Sequence, residues 1–391
     1  MSAREAPIEA GSRGEPEAAP SAWQRLLRRA RPFGFPVLVY LASRAAVLVA
    51  SYFAGFMKFS GMPRVRSVRV FTSGESEVYR AIAEHGYPAN LQPRGSAYAF
   101  SPLYPMLLRA ADRVSPLSSR ETAIVVSTVL GLAAALALWW VTRSMFGRDT
   151  ADRAVLLFCF LPGAFVLSFA YPDSLLVVLA IVGLASLTRQ MWVVAGIAGA
   201  LATATRPAGL ALVVCAIWAA VEAIRRRRDF RSLFAPVLAI SGFLAFVLYA
   251  AVRTGEPDAW FAAQRGGWSE SFDAGWHFLH EVVAFLTFSR GDLDDVFFII
   301  TAVTIVGGLY LLATARLPAL YAVYTIAVLV PVLTSASPRA GSTVVVLAFP
   351  LVIAAARRFR EELLWGVAAT FGALMMLSAL WLAWRPGVAL P

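Results

Sequence analysis

The sequence is divided into apolar stretches, most of them close to the length that a membrane-crossing helix needs. Such a helix takes about 20 apolar residues, and 59% of the 391 residues are hydrophobic, with a mean hydropathy of +0.67. A soluble domain has an apolar share of about 45–50%. We therefore predict an all-α polytopic membrane protein. Its eleven candidate spans are residues 33–57, 121–142, 152–170, 173–188, 191–205, 207–222, 233–252, 295–313, 317–334, 342–356 and 362–384.

The positive charges between these stretches predict the orientation of the chain. The net charge is +11, and arginines concentrate in short connections that the positive-inside rule assigns to the cytoplasm. The N-terminus is then cytoplasmic, with residues 1–24 as a disordered tail and 25–391 as the transmembrane domain. The large loops 58–120 and 253–294 are extracytoplasmic. Clusters of this kind are topology signals, so we predict no nucleic-acid partner. The cytoplasmic arginines are Arg143, Arg148, Arg153, Arg189, Arg225, Arg226, Arg227, Arg228, Arg231, Arg316, Arg357, Arg358 and Arg360.

The first loop is the most polar segment between spans and contains two nearby carboxylates, Glu75 and Glu77. Apolar residues at helical spacing predict two interfacial helices in this loop, near Glu75–Glu84 and Pro102–Val114. On a helix the two carboxylates point in different directions, so only one is expected to face a pocket. A carboxylate in a pocket is suited to act as a general base. The alternative is a solvated acidic helix start.

Three further charged residues lie at the predicted outer ends of spans. Asp173 is bounded by apolar stretches, which marks a functional residue, although it is also suited to cap the next helix. Arg206 and Arg339 each adjoin a proline, and a guanidinium matches phosphate oxygens with two parallel hydrogen bonds. The alternative for each arginine is a side chain that reaches the lipid headgroups.

The histidines and cysteines predict no metal site. His277 and His280 have a helical i, i+3 spacing, but no nearby cysteine or acid completes a ligand set. Cys159 and Cys215 both fall within apolar spans, which argues against a disulfide framework. We therefore predict no cofactor, and the sequence leaves a requirement for a divalent metal open.

Four motifs follow one another in a fixed order: Tyr79–Pro88 with Phe100–Pro105, Pro162–Leu175, Ala195–Gly209, and Pro338–Arg339 with Phe349–Leu351. They resemble those of the PIG-V-like mannosyltransferases, which are multi-span enzymes of the GT-C class. The family pattern runs Trp-Asp-x-x-Trp-Tyr-x-x-Ile-Ala-x-x-Gly-Tyr and then Phe-x-Pro-Leu-Tyr-Pro. One departure stands out, because Gly74 and Glu75 occupy the place of the family's Trp-Asp, and Val78 that of its second Trp.

The resemblance implies a GT-C-like fold of about eleven spans, in the cell membrane, with the active site in its extracytoplasmic part. It implies inverting transfer of a hexose, mannose in this family, from a polyprenyl-phosphate donor to a glycan, glycolipid or protein acceptor. Its catalytic residues would be Glu75 and Asp173. Its substrate-binding residues would be Arg206, Arg339, His85, Tyr87 and Tyr104.

Two other functions are compatible with the sequence. A non-catalytic or transporter-like protein could keep the fold without the family's Trp-Asp, although transporters commonly contain internal repeats and none is visible here. The chain could also be a structural partner of another membrane enzyme.

Overall fold

The computed structural model describes residues 31–56, 71–72, 74–91, 96–268, 273–287, 293–334 and 341–384. Every regular element in these ranges is helical, and six helices are long and apolar enough to cross a membrane. The chain is therefore a multi-pass membrane protein, and its eleven-span count stays a prediction. The predicted tail 1–24 and Arg339 lie outside the described ranges. The six candidate spans are Gly34–Ala54, Ser119–Phe146, Pro207–Arg227, Phe230–Thr254, Asp295–Thr314 and Glu361–Leu382.

Some of the connections between the described helices are 3₁₀ turns. Three shorter apolar helices, Asp173–Thr188, Trp192–Thr203 and Ala319–Leu333, lie among the longer ones. The helices are α1 (Gly34–Phe56), α2 (Glu75–His85), α3 (Leu103–Asp112), α4 (Ser119–Phe146), α5 (Arg148–Phe160), α6 (Asp173–Thr188), α7 (Trp192–Thr203), α8 (Leu210–Arg227), α9 (Phe234–Thr254), α10 (Ala259–Trp268), α11 (Trp276–Leu286), α12 (Leu293–Thr314), α13 (Ala319–Leu333), α14 (Gly341–Leu347), α15 (Pro350–Arg358) and α16 (Glu361–Trp384).

Prolines break two of the predicted spans. The predicted span 152–170 consists of α5 and a buried 3₁₀ turn, Pro162–Leu167. The predicted span 342–356 consists of α14 and α15, and α15 begins at Pro350. Proline lacks a backbone N–H and its ring clashes with the preceding turn, so a continuous helix is unfavourable at both positions.

A buried arginine of α1 satisfies the backbone where α5 ends. Arg44 is 4% exposed and donates hydrogen bonds to the carbonyl oxygens of Cys159 (3.2 Å) and Ala164 (2.8 Å) and to Oγ of Ser168 (3.0 Å). Non-helical backbone at membrane depth needs such partners. Arg44 therefore supports the irregular segment that leads from α5 to the start of α6.

Main-chain hydrogen bonds attach the first loop to the helical bundle. Ala170 donates to the carbonyl of Phe71 (3.0 Å), and Leu103 donates to the carbonyl of Ala204 (2.9 Å). The first bond joins the loop to the segment before α6, and the second joins it to the turn after α7. Motifs that lie far apart in the sequence are thereby held at one end of the bundle.

Candidate functional site

One arginine bridges two buried carboxylates where these motifs meet. Nη1 of Arg206 donates to Oδ1 and Oδ2 of Asp173, at 3.1 and 2.9 Å. Nη2 of Arg206 lies 3.4 Å from Oε1 of Glu75. The side chains of Glu75 and Asp173 are 3% and 1% exposed, whereas that of Arg206 is 21% exposed. The group therefore combines two negative charges with one positive charge and remains partly accessible through the arginine.

Each member of this group lies where a helix begins. Glu75 is the first residue of α2, and Asp173 is the first residue of α6. Arg206 directly precedes the 3₁₀ turn that leads into α8. Helix N-termini carry partial positive charge. These three N-termini therefore offset part of the negative charge that the two carboxylates bring together.

Two glycines allow the backbone to adopt this arrangement. Gly74 precedes α2 with φ 66° and ψ −134°, a conformation that side-chain-bearing residues rarely adopt. A Cβ atom at Gly209 would collide with the backbone carbonyl group of Ala202. Gly74 therefore lets the chain turn sharply into Glu75, and Gly209 lets the turn after Arg206 pack directly against the end of α7.

The two neighbouring carboxylates keep Arg206 charged. Burial lowers the pKa of this guanidinium, but Asp173 and Glu75 raise it by more, so that the pKa lies above its ordinary value. A partly buried cation that is held by two carboxylates is a strong point of attachment. Arg206 can therefore fix the positions of both acids.

The group forms the polar end of a cavity of about 500 Å³. Tyr79 and Phe100 continue the wall beside the carboxylates, and Trp260 and Gln264 of α10 follow them. The rest of the described wall is mainly apolar and is built from α8, α13 and α14. Its residues are Leu210, Ala211, Val214, Ala327, Val328, Pro331, Val332, Thr343, Val344 and Leu347.

The structure separates the two acidic residues of the first loop. Glu75 is buried and lines the cavity, whereas Glu77 is exposed. The prediction that only one of them faces a pocket is confirmed. The structure brings Glu75, Asp173 and Arg206 together, although they are widely separated in the sequence.

Three other predicted site residues do not line this cavity. His85 is exposed at the end of α2, where Nδ1 lies 3.3 Å from the carbonyl oxygen of Ala81. The hydroxyl of Tyr87 donates to the carbonyl oxygen of Phe100 at 2.7 Å. Tyr104 is fully buried, and its hydroxyl lies 2.6 Å from Oγ of Ser127. The two tyrosines contact residues of the cavity wall without lining the cavity, since Tyr87 bonds to Phe100 and the Tyr104 ring packs against that of Tyr79.

The sequence indicated no acid near the pair of histidines on α11, but the structure shows one, Glu281. Nε2 of His277 lies 3.5 Å from Oε1 of Glu281, and the rings of His277 and His280 are 6.3 Å apart. Among the described residues, no group of three or more His, Cys, Asp or Glu side chains is placed to hold a metal ion.

Sequence reasoning missed four polar residues of the cavity wall, of which Thr343 lies on α14. Tyr79 belongs to the first of the motifs that resemble the PIG-V pattern, but its place in the cavity wall was not predicted. Trp260 and Gln264 lie in the second large loop, four residues apart on α10. This spacing places both side chains on one helix face. It could have identified the pair if the helix had been predicted.

Solved structures of membrane glycosyltransferases share this architecture. The apo structure of ArnT from Cupriavidus metallidurans aligns over 84% of this chain and 61% of its own, with a TM-score of 0.53 and 18% identity. The apo oligosaccharyltransferase of Archaeoglobus fulgidus aligns over 92% of this chain and 56% of its own, with a TM-score of 0.51 and 14% identity. The chain thus spans about six-tenths of the length of these proteins. Its fold is that of the GT-C glycosyltransferases.

The sequence comparison matches part of the chain to one family model. Residues 64–252 match the family model described as Mannosyltransferase (PIG-V). The comparison with curated proteins finds no match. The matched region contains Glu75, Asp173 and Arg206 and ends before α10. The resemblance to PIG-V mannosyltransferases that the sequence motifs indicated is therefore confirmed.

Proposed function

We propose that the protein transfers a hexose from a polyprenyl-phosphate donor to an acceptor hydroxyl. The match to the PIG-V mannosyltransferase model favours mannose as this hexose. The observation that carries this proposal is the composition of the cavity. One end holds two carboxylates bridged by an arginine, and much of the remaining described wall is apolar. A lipid-linked sugar has the same division, because its reactive sugar phosphate is polar and its carrier is hydrocarbon.

Glu75 is the general base in this proposal. Both oxygens of Asp173 accept hydrogen bonds from Nη1 of Arg206, whereas Glu75 meets Arg206 through Oε1 alone, at the longer distance of 3.4 Å. Asp173 is therefore the more firmly held carboxylate and orients Arg206. Glu75 is the better placed of the two to accept a proton, since its contact with the guanidinium is the weaker one.

The proposed reaction is a single displacement at the anomeric carbon. Glu75 takes the proton of the acceptor hydroxyl while the acceptor oxygen forms a bond to this carbon. The bond from the carbon to the phosphate oxygen breaks, and its electron pair leaves with the phosphate. Arg206 is the positively charged residue in the described part of the cavity wall, and it can stabilise the negative charge on the departing phosphate. A predicted contribution from Arg339 would add a second cation.

The apolar wall fits the lipid part of the donor. Leu210 and Val214 of α8 face the same cavity as Val328 and Val332 of α13. Burying hydrocarbon against such side chains contributes about 25 cal/mol per Å² of apolar area. The first few isoprenoid units of a polyprenyl chain supply enough apolar area to hold the donor while its phosphate stays near Arg206.

We also propose that the cavity faces the extracytoplasmic side. The connections that the positive-inside rule assigns to the cytoplasm contact one another in the structure. Arg153 donates to the carbonyl oxygen of Phe359 (3.2 Å), and Arg357 donates to that of Ala315. These contacts lie at the opposite ends of α5 and α15 from the segments that approach the cavity, which supports an extracytoplasmic site.

The direct test is turnover by the purified protein in detergent. Decaprenyl-phosphate mannose that carries a radiolabel in the sugar is incubated with protein and methyl α-D-mannopyranoside, and label is followed into a water-soluble disaccharide. We expect disaccharide from the unaltered protein and at most about a hundredth as much from Glu75→Gln. Label that stays on the lipid in the unaltered protein, across a panel of sugar and lipid acceptors, would favour the non-catalytic alternative.

A further inference from the structure

The cavity wall between the carboxylates and α10 contains polar groups that the proposed reaction does not use. Tyr79 is 2% exposed and lines the cavity, yet its hydroxyl has no hydrogen-bond partner among the described residues. Nε1 of Trp260 is buried and likewise has no partner in the described part of the chain. Buried polar groups are normally paired, and leaving one unpaired costs about 1–3 kcal/mol. Such groups at a cavity wall indicate a ligand that pairs with them.

These groups form one continuous surface. The Tyr79 ring meets the Phe100 ring edge to face, with ring centres 5.1 Å apart. Ala99, next to Phe100, accepts a 3.0 Å hydrogen bond from Nε2 of Gln264. Gln264 lies one helical turn after Trp260 on α10. The bond to Ala99 fixes the amide plane of Gln264, so its carbonyl oxygen is held in place as an acceptor.

The chemistry of this surface selects a neutral, hydroxyl-rich ring. Tyr79 can donate and accept, Trp260 only donates, and the carbonyl of Gln264 only accepts. Burial raises the pKa of the Tyr79 hydroxyl well above its ordinary value, so the hydroxyl keeps its proton. Sugar hydroxyls donate and accept, and therefore match all three groups. A hydrocarbon chain would leave all three unpaired, and these neutral groups offer a phosphate no positive charge.

We propose that Tyr79, Trp260 and Gln264 form a subsite that binds a hexopyranose ring. The inference rests on the proposed function, since it assumes that a sugar enters this cavity. The ring belongs either to the donor or to the acceptor, which present the same chemistry to the wall. Trp260 and Gln264 lie beyond residues 64–252, the region matched to the family. The subsite can therefore give this chain a sugar preference of its own.

The test compares binding of decaprenyl-phosphate mannose with that of decaprenyl phosphate. Tyr79→Phe and Trp260→Phe each remove one hydrogen-bonding group and retain an aromatic ring. Since the Tyr79 hydroxyl has no partner among the described residues, its loss should leave thermal stability unchanged. Matched controls are Tyr310→Phe and Trp276→Phe, at side chains that are 71% and 73% exposed. We expect each cavity variant to bind the sugar-bearing lipid about three- to tenfold more weakly, with unchanged binding of the sugar-free lipid.

A second measurement identifies the source of the ring. If donor binding is unchanged but the KM for methyl α-D-mannopyranoside rises about three- to tenfold in both variants, the subsite binds the acceptor and the inference stands. Unchanged values for both ligands would overturn it, as would an equal loss of binding to the sugar-free lipid. If the unaltered protein binds neither lipid, the proposed function fails. Normal donor binding in all variants, with unchanged KM, refutes only the subsite.

Discussion

At the residue scale, the site separates two acids that the sequence places side by side. Glu75 lies in the cavity wall and Glu77 is exposed, although both belong to the first turn of α2. A general base contributes about 10²- to 10⁴-fold to a rate. We therefore expect Glu75→Gln to lower kcat by at least 10²-fold while donor binding is retained. Glu77→Gln has the same chemistry on the exposed face and is the control. Equal losses in the two variants would remove Glu75 from this role.

The length of the Glu75 side chain gives a finer comparison. Glu75→Asp restores the acid that the PIG-V pattern has at this position, but it shortens the side chain by one methylene. Nη2 of Arg206 already lies 3.4 Å from Oε1 of Glu75. Withdrawing the carboxylate by about one bond length, about 1.5 Å, would break this contact. We expect Glu75→Asp to keep part of the activity, above that of Glu75→Gln.

The function of Arg206 depends on the two terminal nitrogens of its guanidinium group. Its two terminal nitrogens contact different carboxylates, Asp173 through Nη1 and Glu75 through Nη2. Lysine has a single charged nitrogen and cannot reproduce this geometry. We expect Arg206→Lys to lower kcat/KM tenfold or more, from the loss of one charge-assisted contact of about 1.5–3 kcal/mol.

The control for Arg206→Lys is Arg265→Lys. Arg265 also pairs with an acid, Asp258, but both side chains are more than 60% exposed, so the exchange should change kcat/KM little. Both proteins should elute as wild type in size-exclusion chromatography. Full activity of Arg206→Lys would show that the two-nitrogen geometry of Arg206 is not needed for turnover.

At the element scale, Gly209 sets the distance between α7 and the turn that follows Arg206. Its φ is −60°, which any residue can adopt. A larger residue is therefore excluded by the lack of space for its side chain and not by the backbone conformation. A Cβ atom there would collide with the carbonyl group of Ala202 and lie 2.7 Å from the backbone nitrogen of Thr203. Backbone atoms cannot rotate away as a flexible side chain can.

We expect Gly209→Ala to move the Arg206 turn and to lower kcat at least tenfold, since displacing a catalytic group by 1 Å can cost about 10²-fold. Gly366→Ala is the matched control. Gly366 lies within α16, and a Cβ atom there meets nothing within 4 Å. This control should gain about 0.5–1 kcal/mol of stability, because alanine favours a helix. Steady-state kinetics and thermal unfolding of both variants test the prediction. Full activity of Gly209→Ala would show that the turn adapts.

At the scale of the whole molecule, the sequence allowed the architecture to be predicted better than the site. Apolar runs predict helices because a membrane leaves backbone groups no other partners, and the predicted span 173–188 coincides with α6. Short apolar runs broken by proline were harder to assign. Periodicity cannot show that a run such as 342–356 is divided into two helices, the second of which begins at Pro350.

The site was predictable where chemistry and position coincide. Glu75, Asp173 and Arg206 are charged residues beside apolar stretches, so their placement is costly unless they pair or function. Tyr79, Trp260 and Gln264 are neutral and common in loops, and only their shared cavity sets them apart. Tyr87 and Tyr104 occur in recognisable motifs, yet both form hydrogen bonds behind the wall. A motif therefore predicts proximity to a site better than it predicts contact with substrate.

The orientation of the molecule provides the last prediction. The arginine-rich connections lie at one end of the helices, where Arg227 donates to Oε1 of Gln190 (3.2 Å) and Arg358 donates to Oγ1 of Thr314 (3.3 Å). Short loops rich in arginine stay on the cytoplasmic side. We expect reporter fusions after Arg148, Arg227 and Arg358 to give a cytoplasmic signal.

The control lies at the other end of the helices. Asp258 follows α9 and is exposed just before α10, the helix that contributes Trp260 to the cavity. A fusion after this residue should report the extracytoplasmic side, because α9 is a candidate membrane span that leads away from the Arg225–Arg228 cluster. A cytoplasmic signal at Asp258 would place the carboxylates of the cavity beside the cytoplasm. The lipid-linked donor would then have to be used on that side, and the proposed orientation would be reversed.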